Sequence, residues 1–406
     1  MSLLYVGPEH TRTPAGWYST PAGLTSDLDA ILRGAAECAT DTIVLDRSPI
    51  EGGPDALVAA MNAAGWEQIS RTTDRGWFTL TKVGVVRANL AIREWCPGDE
   101  IMGPHLSTKV MLGRMLDWQA RFVEPYRMTP GVSLLAMMYG MVGGSTKPRL
   151  QDPATAEWWQ PPAQIGDLRY AGDWKGRVLH RWDMRSAYLA AAAQVELPRF
   201  QLGHTGPWGR GPGYYRIRIT AGPTAGLGKP DRHGCLWVTH SMLDVLTSGR
   251  WKLDVIDSFT TDRGSGRILR RWSDRIRDTM ANLPQSSSFV HQIPAPVIKH
   301  GYAAAIGLLN TPRGLMYRPD WRHMIIDAAR ASMVRRIASV ARLMEGLQPA
   351  RVDVDSVWYD TDDPEHVGRA LGEGAQIGRM RYEGPGRLLP AGKATRWTPL
   401  DEAVSA

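Results

Sequence analysis

The stretch RVDVDSVWYDTDD, residues 351–363, contains two Asp-x-Asp pairs, Asp353 with Asp355 and Asp360 with Asp362. Paired carboxylates at this spacing suit a two-metal phosphoryl-transfer site, and they also occur in plain acidic loops. A third pair, Asp27 and Asp29, shows that spacing alone does not choose between the two. Context does. Asp27 and Asp29 open a predicted helix, where acids favour the positive end of the dipole. Asp360 and Asp362 leave a strand and precede Asp363-Pro364-Glu365, a helix start with a proline in its first turn, so Asp360 is expected to serve a turn and Asp362 a helix cap. Only VDVDSVWY sets its acids between apolar strand residues, which puts Asp353 and Asp355 at the tight turn of a β-hairpin. Buried strands tolerate unpaired carboxylates poorly, so such a pair calls for a cation or strong donors. An Asp-bearing hairpin turn without a metal is the plain alternative.

A metal site on this hairpin needs a further carboxylate at the end of a neighbouring strand. Asp183 fits, because VLHRWD reads as a strand whose last residue precedes a helix. A strand-end Asp and a hairpin Asp give two divalent ions, about 4 Å apart, a shared pair of carboxylates. Hard oxygen ligands beside phosphates favour Mg²⁺, with Mn²⁺ as a substitute.

The rest of the chain sets the frame. Its 406 residues are 43% hydrophobic and 22% charged, enough for two or three domains with their own cores. No apolar run approaches the roughly 18 residues of a membrane span, and no export signal opens the sequence, so a cytoplasmic protein is expected. Cys38, Cys96 and Cys235 are odd in number and form no metal or redox pattern. A net charge of +7 leans toward an anionic partner. Basic residues cluster in RILRRWSDRIR (267–277) and RASMVRRIASVAR (330–342), each of which is equally well a solvated helix face.

Residues 1–142 read as an N-terminal α/β domain: strands at LLYV and TIVL, a helix from Gly53, and a hairpin around Val83-Gly84. A Pro- and Gly-rich linker over 143–167 follows. Residues 168–406 form a second domain with strands at 176–184, 214–220 and 251–261. Basic and apolar helices are expected near 267–280 and 296–309, and a longer one over 321–346 with Ile326, Met333, Ile337, Val340 and Met344 on one stripe.

In this second domain the sequence resembles family B DNA polymerases, and within them the protein-primed branch of phages and linear plasmids. DMRSAYLAAAAQVELP is similar to that family's motif A, with Asp183, Ser186, Tyr188 and Pro198 in register and Ala187 and Leu189 departing. KHGYAAAIG resembles motif B through Lys299 and Gly307, while Ala303, Ala304 and Ile306 replace Asn, Ser and Tyr. RVDVDSVWY resembles motif C at both acids, Ser356 and Val357, with Arg351 and Val354 departing. RYAGDWKGR is similar to the Tyr-x-Gly-Gly segment, with Asp173 at its second Gly, and RLLPAGKATRW to the thumb-proximal Lys-x-Tyr region, with Lys393 matching.

The resemblance implies an α+β fold of palm, fingers (about 262–312) and small thumb (about 363–406) behind an N-terminal domain of ribonuclease-H-like, exonuclease-derived type. It implies a DNA-templated DNA polymerase using Asp183, Asp353 and Asp355, two Mg²⁺ ions, dNTPs and a DNA primer-template, with a terminal protein as a further partner. Tyr188 becomes a steric gate against the sugar C2′. Lys299, Tyr302 and Ser186 become nucleotide contacts, and Lys393, Ser356, Arg270 and Arg271 DNA contacts. No Asp-x-Glu occurs in residues 1–167, where Asp46 and Glu51 are the nearest substitutes, so the first domain is expected to be silent as an exonuclease. Residues 308–352, nearly filled by one helix, leave no room for the insertion with which protein-primed relatives encircle the template. Two rival readings stand beside this one: a primase or terminal transferase on the same palm, and an eroded polymerase acting as a DNA-binding replication factor.

Overall fold

The computed structural model describes residues 3–7, 9–13, 16–19, 28, 30–32, 42–72, 76–82, 85–96, 102, 106–122, 126–127, 129–142, 169–171, 177–200, 202–222, 227, 230–249, 251–261, 264–283, 291–311, 316–391 and 394–400. The linker expected over 143–167, Asp173, Lys393, Cys38 and the pair Asp27/Asp29 lie outside them. The chain divides into two compact units, Met1–Met137 with Asp278–Ala305, and Met138–Arg277 with Ile306–Ala406. Residues 278–305, inside the segment expected as fingers, therefore cluster with the N-terminal unit.

The first unit is built on a seven-stranded sheet of β1 (Leu3–Val6), β2 (His10–Thr13), β3 (Gly16–Ser19), β4 (Thr42–Leu45), β5 (Trp66–Thr72), β6 (Trp77–Lys82) and β7 (Val85–Ile92), in the order β3-β2-β1-β4-β7-β6-β5. The central strands β1, β4 and β7 run parallel, and the flanking pairs are antiparallel. A central parallel strand is covered on both faces, which is why TIVL is wholly buried and apolar after Thr42. Helix α1 (Gly53–Ala63) adds Leu57, Val58 and Met61 to the core formed by Ile43, Leu45, Leu90 and Ile92. The expected hairpin joins β6 to β7, with Lys82 opposite Val85. In α2 (Thr108–Arg121), Trp118 stands edge-on to Tyr126 at 5.3 Å between ring centroids. Helix α3 (Pro130–Val142) completes the N-terminal region.

The second unit carries a six-stranded antiparallel sheet: β8 (Arg169–Ala171), β9 (Leu179–Met184), β16 (Arg351–Asp353), β17 (Ser356–Tyr359), β18 (Met380–Ala391) and β19 (Ala394–Pro399), in the order β19-β18-β9-β17-β16-β8. A second sheet, β11-β14-β12-β13, comprises β11 (Gly203–His204), β12 (Gly213–Ala221), β13 (Leu236–Thr239) and β14 (Lys252–Thr260), and β10 (Leu197–Pro198) pairs with β15 (Ser265–Gly266). The helices are α4 (Ala187–Gln194), α5 (His240–Ser248), α6 (Arg270–Ala281), α7 (Ala295–Leu308), α8 (Pro319–Leu343) and α9 (Pro364–Leu371); α6 and α7 run through the division between the units. Helix α9 ends at Gly372, whose φ of 73° is the left-handed conformation that favours glycine.

Alternation along the strands separates the two faces of the six-stranded sheet. Trp182, Met184, Val352, Val357, Tyr359 and Met380 are buried on one face. Trp182 is 0% exposed, within 6.1 Å of the Tyr359 ring and 5.1 Å of the Tyr382 ring, and Gly368 of α9 approaches its indole. The opposite face presents Asp183, Ser356 and Asp353. The residues expected as a small thumb fold as α9 and as the β18–β19 pair, with β18 hydrogen-bonded directly to β9.

Helix α8 packs against α4, α5 and α9. The expected stripe is present in Ile326, Met333 and Val340, all buried, but the N-terminal half is buried all round and includes charged residues. Arg318 donates to Asp320 at 2.6 Å and to the Pro198 carbonyl, and lies 4.1 Å over the Trp321 ring. Arg330 donates to Asp327 at 2.9 Å and to the Leu227 carbonyl, while Asp327 accepts from the Thr239 amide. Burial raises the Asp327 carboxyl pKa against the pull of Arg330. The basic run 330–342 is therefore not one exposed face, because Arg330, 4% exposed, belongs to the core.

Candidate active site

The hairpin expected at Asp353 and Asp355 is present. Asp353 ends β16 opposite Ser356, and Val354-Asp355 form the two-residue turn. Positive φ at the first turn residue matches the twist of such hairpins. Here that residue is Val354, with φ 57°, a left-handed conformation in which a β-branched side chain is strained. The strained tip seats Asp355 against the end of β9, where the Met184 amide donates to the Asp355 carbonyl at 2.7 Å.

Register brings Asp183 to the same place. Ser356 pairs with Asp183 across β17 and β9, and its hydroxyl donates to Asp183 Oδ1 at 2.7 Å. Arg181 Nη2 donates to the same hydroxyl at 3.0 Å and stands 3.5 Å from Asp183 Oδ1. Arg351 Nη2 meets Asp353 Oδ2 at 3.1 Å. One sheet face thus carries the row Asp353–Ser356–Asp183, continued on β18 by Arg381, which is itself paired with Glu383. Beyond β9 the chain turns through Ser186, left-handed at φ 50°, into α4. This turn delivers Tyr188 to a cleft shared with Val354, Asp355, Ile326, Ala329 and Arg330.

The acids do not converge into a closed cage, since among the described residues no group of three or more His, Cys, Asp or Glu side chains is placed to hold a metal. Mg²⁺ sites seldom need one: one or two carboxylates plus substrate phosphates and waters are the usual donor set. Asp183 and Asp355 are the two carboxylates that could contribute to such a set, and Ser356 and Arg181 both approach Asp183 at Oδ1.

The other expected residues divide. Tyr188 and Ser186 lie in the same unit as the acids, and Tyr188 shares their cleft. Ser356 does not fit a DNA contact: it is 4% exposed and its hydroxyl is bonded to Asp183, so it positions the acid. On α7, Lys299 is exposed, whereas Tyr302 is 2% exposed and belongs to the core rather than to a ligand-facing surface. Helical spacing placed the two on one face, yet packing buries Tyr302 and Ile306 and leaves Lys299 and Ala303 outside. Arg270 and Arg271 are exposed at the start of α6, with Arg270 3.8 Å from Asp274. Asp360 pairs with Arg177 at 2.8 Å. The cap of α9 is Asp363, accepting from the His366 amide, and not Asp362. In the first unit, Asp46 is paired with Arg93 at 3.2 Å and Glu51 is exposed. Sequence reading missed Arg181 and Trp358 at the site; the alternation of β9 and β17 was the signal that put them beside the acids.

No family model matches the chain, and no curated protein matches it. Solved structures do. Phi29 DNA polymerase complexed with primer-template DNA in the post-translocation binary complex aligns with a TM-score of 0.53 at 10% identity, over 98% of this chain and 90% of that one. The fold is that of a family B DNA polymerase. Phi29 DNA polymerase with primer-template DNA and incoming nucleotides gives a TM-score of 0.55 at 10% identity, over 95% and 85% of the two chains. Its complex with single-stranded DNA gives 0.52 at 11% identity, over 98% and 90%. These alignments cover 95–98% of this chain, so the likeness in fold extends beyond the segment with recognisable motifs.

Proposed function

We propose that this chain is a DNA-templated DNA polymerase that adds dNTPs to a primer 3′-hydroxyl. The observation that carries the reading is the meeting of Asp183 and Asp355 at adjoining backbone positions, beside a cleft that also holds Tyr188, within a polymerase fold. Asp183 and Asp355 would hold divalent cations, Mg²⁺ by donor chemistry. When bound, such ions neutralise charge at the α-phosphate and activate the attacking hydroxyl. Ser356, itself held by Arg181, fixes the Asp183 carboxylate through Oδ1. Tyr188 borders the cleft beside Asp355, where its ring excludes a sugar bearing a 2′-hydroxyl. Lys299 as a triphosphate contact rests on the motif resemblance alone, while exposed Arg270 and Arg271 are available to DNA phosphates. Absence of proofreading is part of the proposal and rests on the missing Asp-x-Glu in residues 1–167.

Primer extension with Mg²⁺ on templated and untemplated DNA tests the reading. Incorporation that follows the template base supports it. Untemplated addition points to a terminal transferase, de novo initiation to a primase, and DNA binding without incorporation to a replication factor.

A further inference from the structure

The acid-bearing face of the sheet holds two successive cross-strand rows. Asp353, Ser356 and Asp183 form the first, and Arg351, Trp358 and Arg181 the second. Both guanidinium groups lie on the Trp358 indole, 5.8 Å from its centroid for Arg351 and 5.4 Å for Arg181. Trp358 is 5% exposed and packed with Leu179, Ala350, Leu388 and Trp397, so this platform is fixed. From it each arginine reaches the acid two residues along its own strand, but in different ways. Arg181 acts on Asp183 mainly through the Ser356 hydroxyl. Arg351 meets Asp353 directly, Nη2 to Oδ2 at 3.1 Å, with side chains only 19% and 32% exposed. An oxygen held by a planar, stacked guanidinium is not offered to a cation, and bringing it to one would put Arg351 against that cation.

We propose that Arg351 is a positioning residue that withholds Asp353 from the metal, so that the centre is built on Asp183 and Asp355. This rests on the reading of these acids as metal ligands. It also accounts for three acids that lie near one another without forming a three-carboxylate cluster.

The test is Mn²⁺ binding, followed by loss of the free-ion electron paramagnetic resonance signal, on the full chain without DNA. The set is wild type, Asp353→Asn, Arg351→Leu, the double variant, and Asp183→Asn/Asp355→Asn as the reference that removes the site. Asp353→Asn is expected to stay within about twofold of wild type, because a withheld carboxylate contributes little. Arg351→Leu is expected to bind Mn²⁺ about tenfold more tightly, the scale on which outer-shell partners act. Adding Asp353→Asn to Arg351→Leu should return the affinity to the wild-type value. A merely electrostatic role would make Asp353→Asn equally costly in both backgrounds, so non-additivity is the signature. Equal losses in both backgrounds, or an Arg351→Leu affinity no higher than wild type, overturn the proposal. Wild-type binding that Asp183→Asn/Asp355→Asn does not reduce overturns the ligand assignment itself, and this inference with it.

Discussion

Replacing Ser356 by alanine separates two roles for one residue. As a DNA contact, Ser356 would be dispensable for the fold and needed for binding. Instead its hydroxyl donates to Asp183 Oδ1 at 2.7 Å and accepts from Arg181 at 3.0 Å. A hydrogen bond to a charged group contributes roughly 1.5–3 kcal/mol. Ser356 is 4% exposed and the Asp183 side chain 13%, so water can replace little of what Ser356→Ala removes. The variant should lose about 1.5–3 kcal/mol in urea denaturation, within the range of that bond. Among the described residues, Arg181 at 3.5 Å would then be the remaining side chain holding Asp183. Its drift should slow single-nucleotide incorporation about 10- to 100-fold, as loss of an outer-shell partner does. DNA affinity, measured by anisotropy at fixed salt, should not change. A variant with normal stability and normal incorporation but weakened DNA binding would refute the positioning role.

Three further outcomes are expected. Tyr188→Ala should admit ribonucleotides while retaining most dNTP incorporation, measured as the ratio of the two in competition; an unchanged ratio would leave Tyr188 as packing. Val354→Asn should stabilise the protein by about 1 kcal/mol in urea denaturation, because Asn enters the left-handed region more readily than a β-branched residue; a loss of stability would contradict the strain assigned to the hairpin tip. Asp363→Ala should cost about 1 kcal/mol through the lost cap of α9 and Asp362→Ala almost nothing, with incorporation unaffected by either; the reverse order in denaturation midpoints would restore Asp362 as the cap.

The hairpin, its neighbouring strand and the helix after it were legible because local signals agree there. Apolar strand residues flank Asp353 and Asp355, and Asp183 ends an apolar run just before a helical one. The central strands β1 and β4 were equally plain, as short apolar runs. What escaped depended on partners distant in sequence. Trp358 reads as a core residue, and only the pairing of β17 with β9 and β16 places it between Arg181 and Arg351. Arg330 reads as part of a basic surface until Asp327, the Leu227 carbonyl and the packing of α8 bury it. Tyr302 shares its helical stripe with Lys299, and periodicity cannot say where along a stripe burial stops. The cap was misplaced by one residue because Asp362 and Asp363 are both suited to it, and the chain's entry into α9 decides.

The central claim, that Asp183 and Asp355 form the catalytic pair, is tested most directly by single-turnover incorporation of one correct dNTP into a primer-template with Mg²⁺. Asp183→Asn and Asp355→Asn should each lower the rate by several orders of magnitude while the protein still melts normally and binds DNA with wild-type affinity, because metal positioning and charge neutralisation fail together. Asp360→Asn and Asp362→Asn should incorporate at close to the wild-type rate. Near-normal incorporation by Asp183→Asn or Asp355→Asn, or inactivity confined to the Asp360 and Asp362 variants, would contradict the account and move the site to the second acidic pair.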